Sequence, residues 1–307
     1  MAQTFDIPYI RLHFSLEMLE DTILPSTKAS ALRGGMGEML LRQNCVRDRK
    51  CDSCSFQKDC VVWDTLYSRM EIRPGYVTGK ESIGYLVECS DRTTHFSAGS
   101  HLNFQLTLFG RSIPFFNSYM QAFLYLGMSG LGKYHSRFRI SEVKNSQGQR
   151  LVYGNEVNMQ NYRILSVSDY VRERKEKLSA EDGRYVLVFL SPLNMKFQGK
   201  ELTDFSGEAV TKGAVRRIQM LNYYLGREMA APRIEEYPVL GSSHAKKEDI
   251  HRYSSTQESK MQISGITGRA VMESVPDECL EYLLAGELTH IGKNTSFGFG
   301  KYIINKE

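Results

Sequence analysis

No apolar run in this 307-residue sequence reaches the roughly 20 consecutive residues that a bilayer-spanning helix needs. The longest mainly apolar stretch, Tyr119 to Gly132, is interrupted by Gln121, Gly127, Ser129 and Gly130. The N-terminus also lacks the unbroken apolar core of a secretory signal, because Asp6 and Arg11 stand within it. A cytoplasmic protein with no membrane contact is therefore expected. Strong charge of either sign is missing as well: 39 Lys and Arg against 35 Asp and Glu leave a net charge of +4. Such a balance permits a polyanionic partner without requiring one. Low-complexity tracts are absent, and 41% hydrophobic with 24% charged residues excludes a disordered or collagen-like chain. At about 150 residues per domain, the length predicts two domains with a core each.

The hydrophobic pattern predicts an α+β chain. A strand over Ile7 to Phe14 precedes a helix over Ser26 to Gln43, whose Leu32, Met36 and Met39 share a stripe. Gly34, Gly35 and Gly37 weaken that helix, so a close backbone approach is expected there, by a neighbouring element or by a polymer. Strands at Ile83 to Cys89 and Leu102 to Phe109, a helix over Ile113 to Leu126 and a strand at Phe138 to Val143 follow. The charged run Arg172 to Lys177 reads as a solvated helix end or linker and sets a boundary between domains 1–178 and 183–307. Beyond it the order recurs: strand Tyr185 to Leu190, helix Gly207 to Leu225 with Gly226 as C-cap, strands Tyr253 to Ser259 and Met261 to Met272, helix Pro276 to Leu284, and strand Tyr302 to Asn305. Two split βαβ units in tandem are the economical reading. Similar glycine-bearing turns near their ends, GMSGLGKYHSRFRI and HIGKNTSFGFGKYII, suggest a duplication.

Two segments carry chemistry. In the run Gly292 to Lys301, Gly292, Gly298 and Gly300 allow positive φ and close approach to an anion, while exposed amides form a nest for phosphate oxygens. Lys293 and Lys301 add charge, and Phe297 and Phe299 could stack on unpaired bases, which suits single-stranded RNA. No Gly-Lys-Ser/Thr closes the run, so it is neither a P-loop nor a dinucleotide fingerprint. Spacing alone equally fits a glycine-rich turn whose phenylalanines belong to the core. The second segment, an insertion at about 44–62, holds Cys45, Cys51, Cys54 and Cys60 as C-x₅-C-x₂-C-x₅-C. Four thiolates so spaced can converge tetrahedrally on zinc, a structural site with no open position for a catalytic water. An iron–sulfur cluster draws on the same ligands and stays open, as does an unliganded set of reduced thiols. Cys89 and Cys279 read as ordinary buried thiols.

The C-terminal run LAGELTHIGKNTSFGFGKY, Leu284 to Tyr302, resembles the glycine-rich signature of the CRISPR-associated endoribonucleases of the RAMP superfamily that process precursor CRISPR RNA. Arg252 to Gln257 resembles that family's Arg-Tyr-Ser-x-x-Gln segment, Leu32 to Gly37 its first-helix segment, and Leu106 to Gly110 with Gly130 to Gly132 its N-terminal half. The resemblance spans most of the chain, in order, and makes this a four-cysteine variety. It implies two ferredoxin-like (RRM-like) domains and RNA held with the glycine-rich loop against its backbone, by Arg252, Gly292, Lys293, Gly298, Phe299, Gly300 and Lys301. It further implies cleavage without a catalytic metal, a 2′-hydroxyl attacking the adjacent phosphodiester to leave a 2′,3′-cyclic phosphate and a 5′-hydroxyl. The partners implied are the repeat RNA and a CRISPR effector complex. Many members place a histidine on or just after the first helix, but Pro25 to Cys60 contains none. The catalytic candidates are then His290, beside the glycine-rich loop, and Lys28 and Arg33 from the first-helix region. His251 comes next, and His135 lies in the first domain's corresponding turn. A non-catalytic subunit that grips crRNA is the alternative.

Overall fold

The computed structural model describes residues 4–77, 82–178, 183–254 and 259–307, with no side chain of residues 251–260. The chain divides into two compact units, Tyr9–Ile164 and Leu165–Glu307, the latter joined by the N-terminal residues up to Pro8.

The first unit runs β1 (Pro8–Met18), α1 (Ala29–Asn44), β2 (Tyr85–Glu88), β3 (His101–Phe109), α2 (Phe116–Ser129) and β4 (Phe138–Asn145). Its antiparallel sheet has the order β2-β3-β1-β4, extended past β4 by short strands at Arg150–Tyr153 and Glu156–Val157. Strict alternation fixes the register of β1: Leu12, Phe14, Leu16 and Met18 are buried, while Arg11, His13, Ser15 and Glu17 lie half-buried on the other face. Phe14 stacks on Phe104 at 4.7 Å, and Phe123 of α2 closes over both. The glycines of α1 serve this packing. A Cβ on Gly35 would stand 2.6 Å from Leu126 Cδ1, and one on Gly37 would stand 3.0 Å from Leu66 Cδ1. The neighbour expected at this helix is another helix.

The second unit opens with α3 (Val167–Leu178) and continues β5 (Tyr185–Leu193), α4 (Gly207–Tyr224), β6 (Val239–Ser254), β7 (Ser259–Glu273), α5 (Asp277–Thr289) and β8 (Tyr302–Lys306). The sheet order β6-β7-β5-β8 repeats that of the first unit. Both units are thus ferredoxin-like, as the repeated element order implied. Ser206 caps α4 by accepting from the Ala209 amide at 3.3 Å, and Gly226 follows the helix at φ 77°.

Two expectations need correction. The domain boundary falls at 164/165, ahead of α3, whereas the charged run had placed it at 178/183. The reason is that Arg174 donates to both Glu287 oxygens, at 3.0 and 2.8 Å, and to the Ile304 carbonyl, while Lys175 reaches Glu281 at 3.0 Å. That run therefore docks a helix rather than solvating one. The second strand of the second unit is Val239–Ser254, not Tyr253–Ser259. Its polar sequence hid it: β6 is an edge strand with Lys246 and Lys247 exposed. Strands β6 and β7 pair from Val239↔Glu273 to Ser254↔Ser259, but β5 follows β7 only as far as Leu193↔Ile266. Residues 248–254 of β6 and 259–265 of β7 therefore pair with each other beyond the reach of β5.

Candidate functional site

The glycine-rich loop begins where α5 stops. Arg217 Nε donates to the Thr289 carbonyl at 2.9 Å, and His290 turns the chain out of the helix at φ 59°. The His290 imidazole is fully buried, and its Nδ1–H donates to the Phe299 carbonyl at 3.0 Å, tying the loop's start to its end. Two glycines allow this closure. A Cβ on Gly292 would stand 2.6 Å from the Asn194 carbonyl oxygen, and one on Gly300 would collide with the Ile291 carbonyl. Both residues also have positive φ, 83° and 68°. Asn194 then anchors the loop twice: its carbonyl accepts from the Lys293 amide at 2.7 Å, and its side chain donates to the Ser264 carbonyl at 2.5 Å.

These contacts correct several site expectations. His290, expected to face the reacting atoms, has no exposed surface, and its imidazole ties the two ends of the loop together. Phe299 is 3% exposed and packs with Ile250 and Ile263, with Phe297 against them, so it belongs to the core and cannot stack on a base. Gly300 is buried too. The expected nest of open amides is largely spent within the protein: Lys293 N–H bonds Asn194, Gly298 N–H bonds Thr295, Gly300 N–H bonds Pro192, and Lys301 N–H bonds the Ser191 hydroxyl. A loop with few packing side chains must satisfy its own backbone. Lys293 is left exposed at the tip, with Gly292, Gly298 and Lys301 half-exposed around it. Arg252 has its backbone in β6 opposite Met261; its side chain, like that of His251, lies outside the described residues.

In the first unit, Lys28 and Arg33 point to different partners. Lys28 is fully buried, its Nζ donating to the Asp91 carbonyl at 2.9 Å and lying 5.4 Å from the Phe96 ring centroid. Burial lowers its pKa, against the opposing pull of Asp91 and Cys89. Like His290, it offers no surface to a substrate. Arg33 is half-buried, donates to Ser82 Oγ at 3.0 Å and lies over Tyr85. The turn after α2 was undervalued in the sequence. Lys133, Tyr134 and His135 are all exposed, with Tyr134 at 61% and the Lys133 ammonium 5.4 Å from its ring. Where the second unit's loop turns its aromatics inward, this turn presents a cation, an aromatic ring and an imidazole outward. The duplicated GLGKYHSRF pattern was the available signal.

Cys45, Cys51, Cys54 and Cys60 line a single cavity of about 20 Å³ together with Arg47, Arg49, Lys50, Gln57 and Trp63. Short turns at Cys51–Ser53 and Gln57–Asp59 fold the segment back on itself, and Gln57 Nε2 fastens them through the Cys51 and Asp52 carbonyls, at 2.6 and 2.9 Å. Among the described residues, no three His, Cys, Asp or Glu side chains already stand as a metal-holding set. None of the four is joined in a disulfide.

Residues 187–302 match the family model of the CRISPR-associated endoribonuclease Cas6. A second model, AF_1859_N, described as an N-terminal domain, matches residues 7–164, just over half of the chain. The second unit belongs to the Cas6 family. Solved Cas6 structures share the chain's fold at low identity. A partial Cas6-RT-Cas1–Cas2 complex superposes with a TM-score of 0.57 at 8% identity, covering 98% of this chain, which in turn spans only 46% of the chain matched. A Cas6 product complex gives 0.52 at 13% identity, covering 97% of this chain and 99% of that one. Thermus thermophilus Cas6 gives 0.51 at 11% identity, covering 97% and 98%. No curated protein matches the chain. Among the described residues, no helix is long and apolar enough to cross a membrane.

Proposed function

We propose that this chain cuts precursor CRISPR RNA within its repeats, using the substrate's own 2′-hydroxyl as nucleophile. The reading is carried by the Cas6 match over the unit whose glycine-rich loop holds one lysine, Lys293, out to solvent. In this reaction the 2′-hydroxyl loses its proton, its oxygen bonds to phosphorus and the bond to the 5′-oxygen breaks. The departing oxygen takes up a proton, leaving a 2′,3′-cyclic phosphate and a 5′-hydroxyl. Positioned proton transfer typically contributes about 10²–10⁴-fold, and fixed positive charge stabilises the dianionic phosphorane. Arg33 supplies such charge, Lys293 and Lys301 hold the backbone, and Tyr134 with His135 offers a stacking ring beside a proton-transfer group. The processed RNA then passes to a CRISPR effector complex.

A second reading has its own support. His290 and Lys28 are buried, which leaves Arg33 as the accessible member of the expected catalytic set, and a guanidinium does not give up its proton in proteins. That favours a subunit that grips crRNA without cutting it. Incubating the protein with repeat RNA in EDTA, with and without a 2′-deoxy substitution at the cut site, separates the two. Cleavage that survives EDTA and stops with the deoxy substrate supports the endoribonuclease. Tight binding with intact RNA after long incubation supports the gripping subunit. Cleavage of the deoxy substrate at an equal rate overturns the proposed chemistry.

A further inference from the structure

We infer that Cys45, Cys51, Cys54 and Cys60 hold one zinc ion, which takes the place of a hydrophobic core for the segment between them. Within Cys45 to Cys60, the only residues withdrawn from solvent are these four cysteines and Gln57, each half-buried. The apolar side chains that could have formed a core face outward instead, Val46 at 81% exposure and Phe56 at 48%. A segment whose inward positions are thiols has little apolar surface to bury, so a ligand must supply what packing does not.

The cavity shared by the thiols selects that ligand. At about 20 Å³ it has room for one water-sized occupant, which matches a single ion. Four sulfurs are the donor set of closed, structural zinc sites. The charge balance agrees. Four thiolates around a dication leave two excess negative charges, and the charged side chains lining the cavity are Arg47, Arg49 and Lys50, with no carboxylate among them. Arg49 also pairs with Glu38 at 3.0 Å and Lys50 with Asp48 at 3.8 Å, so part of that positive charge is already balanced by carboxylates. The Tyr67 hydroxyl hydrogen-bonds the Cys51 sulfur, the kind of outer contact that orients a metal ligand. Because Arg33 acts electrostatically on the same tyrosine, the site lies next to the accessible cation of α1.

Metal content of the protein purified without chelator, measured by plasma mass spectrometry, should be one zinc per chain, and anaerobic cobalt exchange should give the intense visible bands of tetrahedral cobalt thiolate. Cys51→Ser with Cys54→Ser should abolish both, whereas Cys89→Ser and Cys279→Ser should retain them. Tyr67→Phe should weaken zinc affinity ~10-fold. Limited trypsin digestion keeps the test open if the double variant fails to fold: chelating the wild-type protein should expose Arg47, Arg49, Lys50 and Lys58 to cleavage while the rest resists. Iron with sulfide, an octahedral cobalt spectrum, a folded chain that stays metal-free after anaerobic zinc, or unchanged trypsin cutting after chelation would each overturn the site. None of these readouts depends on RNA cleavage.

Discussion

At the scale of single residues, burial divides the charged and aromatic side chains near the glycine-rich loop into two groups. Lys293 stands in water and His290 does not. Lys293→Ala should weaken RNA binding about equally for all sequences and lower the slope of log affinity against log salt by about 1, as read from filter binding across a salt series. His290→Ala should behave differently. Losing the bond to Phe299 and leaving a small void should cost about 1–3 kcal/mol in urea unfolding, while the shape of the pH–rate profile stays as in the wild type. A profile that loses one limb would return His290 to the chemistry. For Lys28 the sign follows from its lowered pKa. The unfolded chain holds the proton more tightly, so stability should rise as pH climbs from the lowered value toward 10.5. Lys28→Met should flatten that rise in the urea midpoint.

At the scale of elements, the repeated glycines have more to do with packing than with ligand binding. Gly35→Ala would push a methyl group into Leu126, and we expect a loss of about 1–3 kcal/mol, seen as a lower thermal midpoint. Helix α3 gives a second test. Glu287 is nearly buried and Arg174 partly exposed, with side chains 6% and 24% accessible. Removing Arg174 strands a carboxylate, and the loss should be about 2 kcal/mol, discounted from the 3–5 typical of a fully buried pair because water reaches one partner. Most of these elements were legible. Alternation marked β1, the leucine and isoleucine stripe marked α4, and Gly226 marked its end. Strand β6 was not legible, because an exposed edge carries no alternation that burial would enforce. The outward charges of α3 likewise concealed ion pairs that form only once α5 is beside it.

At the scale of the whole molecule, a net charge of +4 on 307 residues leaves no general attraction for polyanions, so any RNA affinity must come from cations placed at a site. Repeat RNA should therefore outcompete duplex DNA and heparin at physiological salt, and competition of equal strength by either would contradict a placed site. The element order βαββαβ, written twice, was enough to specify two ferredoxin-like units, because short connections and one-sided apolar strands leave few other ways to close such a sheet. The cysteine spacing was likewise enough to bring four sulfurs to one cavity. Tertiary structure alone decided which side of the protein surface each candidate occupies. Phe299, Lys28 and His290 were withdrawn from water, while Tyr134 and His135 were left in it. Local sequence reports the chemistry a side chain carries, but access depends on contacts with residues distant in the chain, and those exist only after folding.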